Sequence, residues 1–493
     1  MEDNLFDRLN DSHQQSAEWA AAQQEQALAR AQTRQRRLLD VLETQLAQNK
    51  TLPVYLTSID VKGGASTNTA FLKSHLDPLL TRPFTLQGLF RELDATTDAL
   101  GSFGVFDSLS YTLDVAPPTL FAPPEGVSPL TATLHLKEGK RLLLRTGTDL
   151  GNGEGSAYAS ASLKNVFGNA EKLTFDASSG TRTRSSYVLD YSTPLKHSAR
   201  WKASLTGVKS SRDCHWASHE QVLRGVTAKV AGTGFLGGRH EFGYEALWRT
   251  LTGVADSASA TVRADAGDSF KSAVFHSWAL DTRDNVLFPT EGAYFKIQQE
   301  FAGAGSLLGD VKFSKHEATA VVAKALFNDN VLLSLGARGG LLYGLGPDAK
   351  TSVLDRFYLG GPNDVRGFYL NGLGPKDGAD SVGGEAFAAG GISLFTRLPM
   401  VSRESPLRLQ TFVNAGSLLP LKKGEWPVRS ANPDDTQATL NELLDKPSVA
   451  GGIGLVYNHP VARFELNFVL PLAVREGDSA RKGLQFGLGM SFL

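Results

Sequence analysis

The sequence predicts a membrane β-barrel of about sixteen antiparallel strands, preceded by one small α+β domain and an N-terminal helical segment. Three observations carry this reading. From Leu484 the chain alternates strictly, with Leu484, Phe486, Leu488, Met490 and Phe492 on one face and Gln485, Gly487, Gly489 and Ser491 on the other. Only a β-strand places every second side chain on one face. The same period recurs through most of the chain after Arg141. Finally, the face opposite the apolar one often carries charge, which is costly in a dry core but not against a wet lumen.

Composition bounds the alternatives. The 493 residues include 50 Gly and 3 Met, a bias towards strands and turns. A formal net charge of −1 gives no bulk attraction to nucleic acid. The single Cys214 excludes a disulfide framework within the chain. No apolar run reaches the length of a transmembrane helix, so any membrane crossing rests on strands. Enzyme chemistry lacks its signatures: there is no GxSxG, HExxH, CxxC or GxxxxGK[ST]. The ten His show no metal-ligand spacing, and no cofactor or metal is expected. Gly151-Asn152-Gly153-Glu154-Gly155 sits between two strands and reads as a hairpin turn rather than a phosphate cradle.

Three regions follow in order, at 1–50, 51–139 and 140–493. Met1 to Ser12 is acidic and polar, without the pattern of a secretory signal or an Arg-rich presequence. A barrel with such a start fits import from the cytosol, which favours the mitochondrial outer membrane. Ser12 to Gln48 is rich in Ala, Gln, Arg and Leu, a helix composition with a sparse apolar stripe of Trp19, Leu38, Leu42 and Leu46.

The second region reads as strand, helix, helix, strand, strand. Val54 to Val61 alternates and ends at Gly63-Gly64; Thr69–Leu80 and Leu86–Leu100 have helical spacing; Val105–Val115 and Thr131–Lys137 are strands. With a small-residue turn before Val105-Phe106, this order resembles a POTRA domain. The Pro-rich stretch from Pro117 to Pro129 is an inserted loop between the last two strands.

From Arg141 strand follows strand. Phe242, Tyr244, Ala246 and Trp248 oppose Glu241, Glu245 and Arg249; Ala293, Phe295, Ile297 and Phe301 oppose Lys296, Gln298 and Glu300; Phe464, Leu466, Phe468 and Leu470 oppose Arg463, Glu465 and Asn467. A long linker from about 344 to 384 interrupts them and contains Phe357 to Phe368, FYLGGPNDVRGF. Together with Asp281-Thr282-Arg283-Asp284 and Phe288-Pro289-Thr290-Glu291-Gly292, this resembles the outer-membrane barrel-assembly superfamily. Within it, the chain is most similar to the central barrel of the mitochondrial sorting and assembly machinery.

The resemblance implies that Val365, Arg366, Gly367 and Phe368 form the tip of a loop folded back into the lumen. An arginine there needs acidic or carbonyl partners for its planar fork. Bacterial relatives tend to place Asp where this chain has Asn414, which cannot form an ion pair. Inward-facing Glu465 is therefore the preferred partner, with Asn414, Glu385 and Asp355 as further candidates. The resemblance also implies an insertase. Precursors of β-barrel proteins would pair their last strand with the first strand here, around Leu142, Leu144 and Thr146. The opening would lie against this chain's own last strand, whose Gln485, Gly487, Met490 and Phe492 match the client signal. Expected partners are those precursors, accessory subunits and the lipid bilayer, with the small domain facing the intermembrane space. A polypeptide-conducting translocase and a passive diffusion pore are the alternatives.

Overall fold

The computed structural model describes residues 47–117, 127–151, 154–303, 307–327, 330–345, 350–398, 405–421, 441–459 and 462–489, with single residues 34, 44, 45, 305 and 401. The chain divides into two compact units, Met1–Gly139 and Lys140–Leu493. Most of the expected N-terminal helix, including Trp19, Leu38, Leu42 and Leu46, lies outside the described residues. So do Met490 and Phe492 and most of the Pro-rich stretch.

In the first unit β1 (Pro53–Gly63) leads to α1 (Thr69–Leu76). The helix expected to reach Leu80 tightens into a 3-10 turn over Asp77–Leu80, because Pro78 has no backbone donor to continue it. Next come a two-residue strand, β2 (Phe84–Thr85), then α2 (Leu86–Ser102), β3 (Phe106–Val115) and β4 (Ser128–Glu138). Both helices start on a side-chain cap: Asn68 accepts from Ala70 N–H and Thr85 from Gly88 N–H, each worth about 1 kcal/mol. The sheet order is β2-β1-β4-β3, with β1 parallel to β4. Leu56, Phe71, Leu89 and Leu100 are fully buried between helices and sheet, each contributing about 1.5–3 kcal/mol. This is the small α+β POTRA arrangement.

The second unit is one 16-stranded sheet. Its strands are β5 (Leu142–Gly151), β6 (Glu154–Lys164), β7 (Lys172–Gly180), β8 (Thr183–Pro194), β9 (Trp201–Cys214), β10 (His219–Thr233), β11 (Arg239–Thr252), β12 (Gly267–Asp281), β13 (Glu291–Ala302), β14 (Phe313–Leu326) and β15 (Val331–Gly344). The linker carries a two-residue hairpin, β16 (Lys376–Asp377) and β17 (Asp380–Ser381). Then follow β18 (Ala386–Arg397), β19 (Leu407–Leu419), β20 (Ser448–Asn458), β21 (Arg463–Ala473) and β22 (Gly483–Gly489).

Each wall strand pairs antiparallel with the next, so connections alternate between two ends of the barrel. We call the end holding the turns after β6, β8, β10, β12, β14, β18 and β20 the turn rim, and the other the loop rim. The alternation sorts side chains as the sequence predicts. Phe242, Trp248, Phe295, Ile297, Leu466, Phe468, Leu484 and Phe486 are exposed on the outside, where hydrocarbon is the solvent. Arg249, Gln410, Asn414, Glu465 and Asn467 are buried inside. The two end strands, β5 and β22, approach with Cα atoms within 8 Å. Among the described residues no ladder joins them.

Candidate functional site

The lumen is filled by the linker between β15 and β18. Phe357, Leu359, Val365, Phe368 and Leu373 of the linker pack with Leu342, Phe387, Phe412, Leu418, Ala450 and Val469 of the wall in one buried cluster. Apolar burial therefore holds the loop inside, and polar contacts fix its register.

At its tip Arg366 reaches Glu465 on β21 as a fork: Nε donates to Oε2 at 3.1 Å and Nη2 to Oε1 at 3.3 Å. The two side chains are 1% and 0% exposed. Asn414 holds the backbone instead, its Nδ2 donating to the Arg366 carbonyl at 3.2 Å. An Asp there could not donate, which gives a physical reason for Asn at this position. Two other candidates are corrected. Glu385 accepts from Thr351 Oγ1 and from Leu421 N–H, because it lies at the loop's base, at the loop rim. Asp355 pairs with Arg249 at 2.6 Å. Gly367 has φ +89°, and a Cβ added to it would lie 2.6 Å from the Ala450 methyl. Only glycine satisfies both the backbone and the wall there.

Sequence reasoning missed a second arginine. Arg463, two residues before Glu465 on the same inward face, also pairs with that carboxylate. One buried carboxylate thus faces two guanidiniums. Aromatic faces take up the excess positive charge: Arg366 lies 4.7 Å from the Phe412 ring centroid. Arg463 lies 4.7 Å from that of Phe395 and 5.6 Å from that of Phe288. Phe288 comes from the turn after β12. There Asn285 Oδ1 accepts from Leu287 and Phe288 N–H, and the Phe288 ring turns inward against Ala323, Leu332, Phe395 and Val456. The two segments that carry the sequence resemblance therefore converge on Glu465. The inward parity of Arg463 was the available signal.

The loop also grips the last hairpin. Gly367 N–H donates to Gln485 Oε1 at 3.1 Å, and Arg481 N–H to the Gly367 carbonyl at 2.8 Å. Asn363 Nδ2 donates to the Leu488 carbonyl at 2.7 Å. Gly487 stands opposite Glu465 in the β21–β22 ladder. Across the seam, Leu142, Leu144 and Thr146 share the outward face of β5, and all three are exposed. The structure thus joins Arg366, Glu465, Asn414 and Gln485 in one network and leaves the β5 residues out of it. Among the described residues no group of acids, His or Cys could hold a metal.

Residues 165–492 match the Omp85 superfamily domain. The chain is 39% identical to the SAM50-like protein of Schizosaccharomyces pombe, covering 91% of this chain and 93% of that protein. It is 35% identical to sorting and assembly machinery component 50 homolog A of Xenopus laevis, covering 82% and 84%. It is 34% identical to the Homo sapiens homolog, covering 82% and 80%. A solved structure of BamA from Haemophilus ducreyi lacking POTRA domains 1–3 superposes with a TM-score of 0.71 at 15% identity, over 88% of this chain and 84% of that one. It shares the fold. With the network at the tip of the lumen loop and these relatives in view, the chain belongs to the Omp85 superfamily, among its sorting and assembly machinery component 50 members.

Proposed function

We propose that this protein inserts and folds β-barrel precursors into the mitochondrial outer membrane, and that they enter through the seam between β5 and β22. One observation supports this above the others: among the described residues the two end strands come within 8 Å with no ladder between them. Unpaired backbone groups cost several kcal/mol each in hydrocarbon, so a client strand that pairs with β5 is stabilised by β-augmentation. Gly487 and Gly489 give β22 little side-chain packing, which lowers the cost of parting it from β5. No nucleotide enters this scheme, because folding into lipid supplies the driving force. The POTRA unit faces the intermembrane space and receives precursors there, and accessory subunits complete the machine. A lumen occupied by Arg366, Phe368 and their neighbours favours passage through the wall over passage through the pore.

Disulfide locking tests the scheme. With Cys214 replaced by Ser, Thr146→Cys and Leu488→Cys, and a panel of neighbouring pairs, are oxidised across the seam. The barrel should remain folded while insertion of new client barrels stops. Normal insertion by a fully locked seam would remove the lateral route and point to lumenal passage.

A further inference from the structure

Large apolar side chains stand in the open at the tips of the turn rim. Phe167 is 70% exposed, Leu236 70% and Phe327 76%, and Leu195 is exposed in the turn between them. Two of these tips are held out at a conformational cost. Leu236 has φ +66° and Phe327 φ +51°, a left-handed backbone that bulky residues rarely adopt. A sequence free to relax would place Gly or Asn there.

Exposed cations accompany the tips. Lys172 follows the Phe167 turn, Lys196 and Arg200 flank Leu195, and Lys324 lies three residues before Phe327. Three described acids of the same rim are engaged within their own turns, while exposed Glu291 stands opposite Lys324 in the β13–β14 ladder. Glu171 accepts from Phe167 and Asn169 N–H, Asp281 binds Arg283 and Asp284 accepts from Thr290. Leu308, on the loop rim, is as exposed but has Gly309 and Asp310 beside it and no cation within three residues.

The tips belong to the outside of the barrel. The Phe167 ring lies 6.5 Å from that of Tyr191, which shares the outward face of β8 with exposed Tyr187 and Leu189. Trp201 and Trp278 fall on the outward faces of β9 and β12 at the same rim, on the parity of exposed Leu205 and Val274. Outward Tyr and Trp mark the level of lipid headgroups, so the turn tips are continuous with the lipid-facing wall at headgroup depth.

We propose that the turn rim is a docking surface for anionic phospholipid headgroups: the apolar tips enter the interface and the lysines and arginine meet the phosphates. Each such cation strengthens association with an anionic surface by about fivefold at low salt, and added salt screens it. The surface anchors this end of the barrel and is separate from the seam.

The test uses the full chain with Cys214→Ser, reconstituted in phosphatidylcholine vesicles with or without phosphatidylglycerol. An environment-sensitive fluorophore is placed at Phe327→Cys, Leu236→Cys or, for comparison, Leu308→Cys. Rim labels should be quenched by lipid-borne quenchers and shielded from iodide, more so with phosphatidylglycerol, whereas the Leu308 label stays open to iodide. Changing Lys172, Lys196, Arg200 and Lys324 to Gln should abolish the phosphatidylglycerol dependence. In the unaltered protein, amine labelling of Lys172 and Lys196 should fall several-fold in phosphatidylglycerol vesicles and recover in high salt. Rim labels and lysines as accessible as Leu308 in every vesicle would overturn the proposal. So would shielding that appears only when an unfolded barrel precursor is added, which would assign the tips to client binding.

Discussion

The side-chain amide of Asn363 donates to the main-chain carbonyl of Leu488 across 2.7 Å. A residue at the tip of the lumen loop thereby holds the backbone of β22, which among the described residues has a ladder with β21 alone. Replacing Asn363 with Ala removes a hydrogen bond worth about 1 kcal/mol. Hydrogen-exchange protection of Gln485–Leu488 should fall about fivefold, with Asn363→Gln in between. Unchanged protection would mean that β21 alone holds the terminal strand.

Removing one partner of the fork should be severe. Arg366→Ala leaves Arg463 as the cation beside Glu465, while Glu465→Gln leaves two buried guanidiniums with no carboxylate. Breaking a buried pair costs about 3–5 kcal/mol, so Glu465→Gln should be the more damaging. Arg366→Lys restores charge but not the fork, and should rescue in part. The temperature at which heat-modifiable migration is lost, and protease access to residues 356–370, read this out. An Arg366→Ala protein with normal loop protection would defeat the bracing role.

A double replacement separates a pair from a triad. For an isolated ion pair, Arg366→Met with Glu465→Met would restore much of the stability. Here Arg463 stays behind, buried against Phe395 and Phe288, so the double variant should remain close to the worse single one. Adding Arg463→Met should recover it. Recovery in the double variant would show that Arg463 draws little from Glu465.

The turn after β12 should respond to acid. Burial on its own raises the Asp284 pKa, but the Thr290 hydroxyl and the N–H groups of Glu291, Thr290 and Asn285 outweigh it and hold the carboxyl below its usual range. A depressed folded-state pKa contributes stability that is present above the ordinary carboxylate range and is lost as pH falls through the folded value. Exchange protection at Thr290 and Glu291, corrected for intrinsic rates, should be flat at neutral pH and decline in acid. Asp284→Asn should remove that dependence. A decline that persists in Asp284→Asn would place the titrating group elsewhere.

Residues 140–493 produced alone should still embed and migrate as a heat-modifiable barrel, because every wall strand lies beyond Lys140. Client handling should suffer more than the barrel's own insertion. Failure of the shortened chain to form a barrel would show that the first unit contributes to the wall.

The wall is readable in the sequence because lipid outside and water inside impose opposite demands on neighbouring residues, as in Phe464 to Asn467. Arg366's reach to Glu465 is readable for a related reason: an inward acid on a lipid-bounded strand needs a cation. Arg463 is harder, since a charge that neighbours an acid along one strand face looks solvated until Phe288 and Phe395 enclose it. The Asn363–Leu488 contact has no signal at all, because the acceptor is a backbone carbonyl that any residue supplies. Glu385 misleads because inward parity does not say at which depth a side chain stands. The tightening after Leu76 escapes the apolar spacing of Leu79 and Leu80, which one more helical turn would also produce, and its physical cause is Pro78.

Arg366 is synthesised 99 residues before the carboxylate that receives it, and that carboxylate sits on the fifteenth of the sixteen wall strands. A barrel stalled at β20 carries a lumenal guanidinium without that carboxylate, and a loop that lacks its contacts to β21 and β22. The fork at Glu465 and the grip on Gln485 and Leu488 thus tie the plug to the two strands that are made last, so these contacts form only once β21 and β22 have joined the wall.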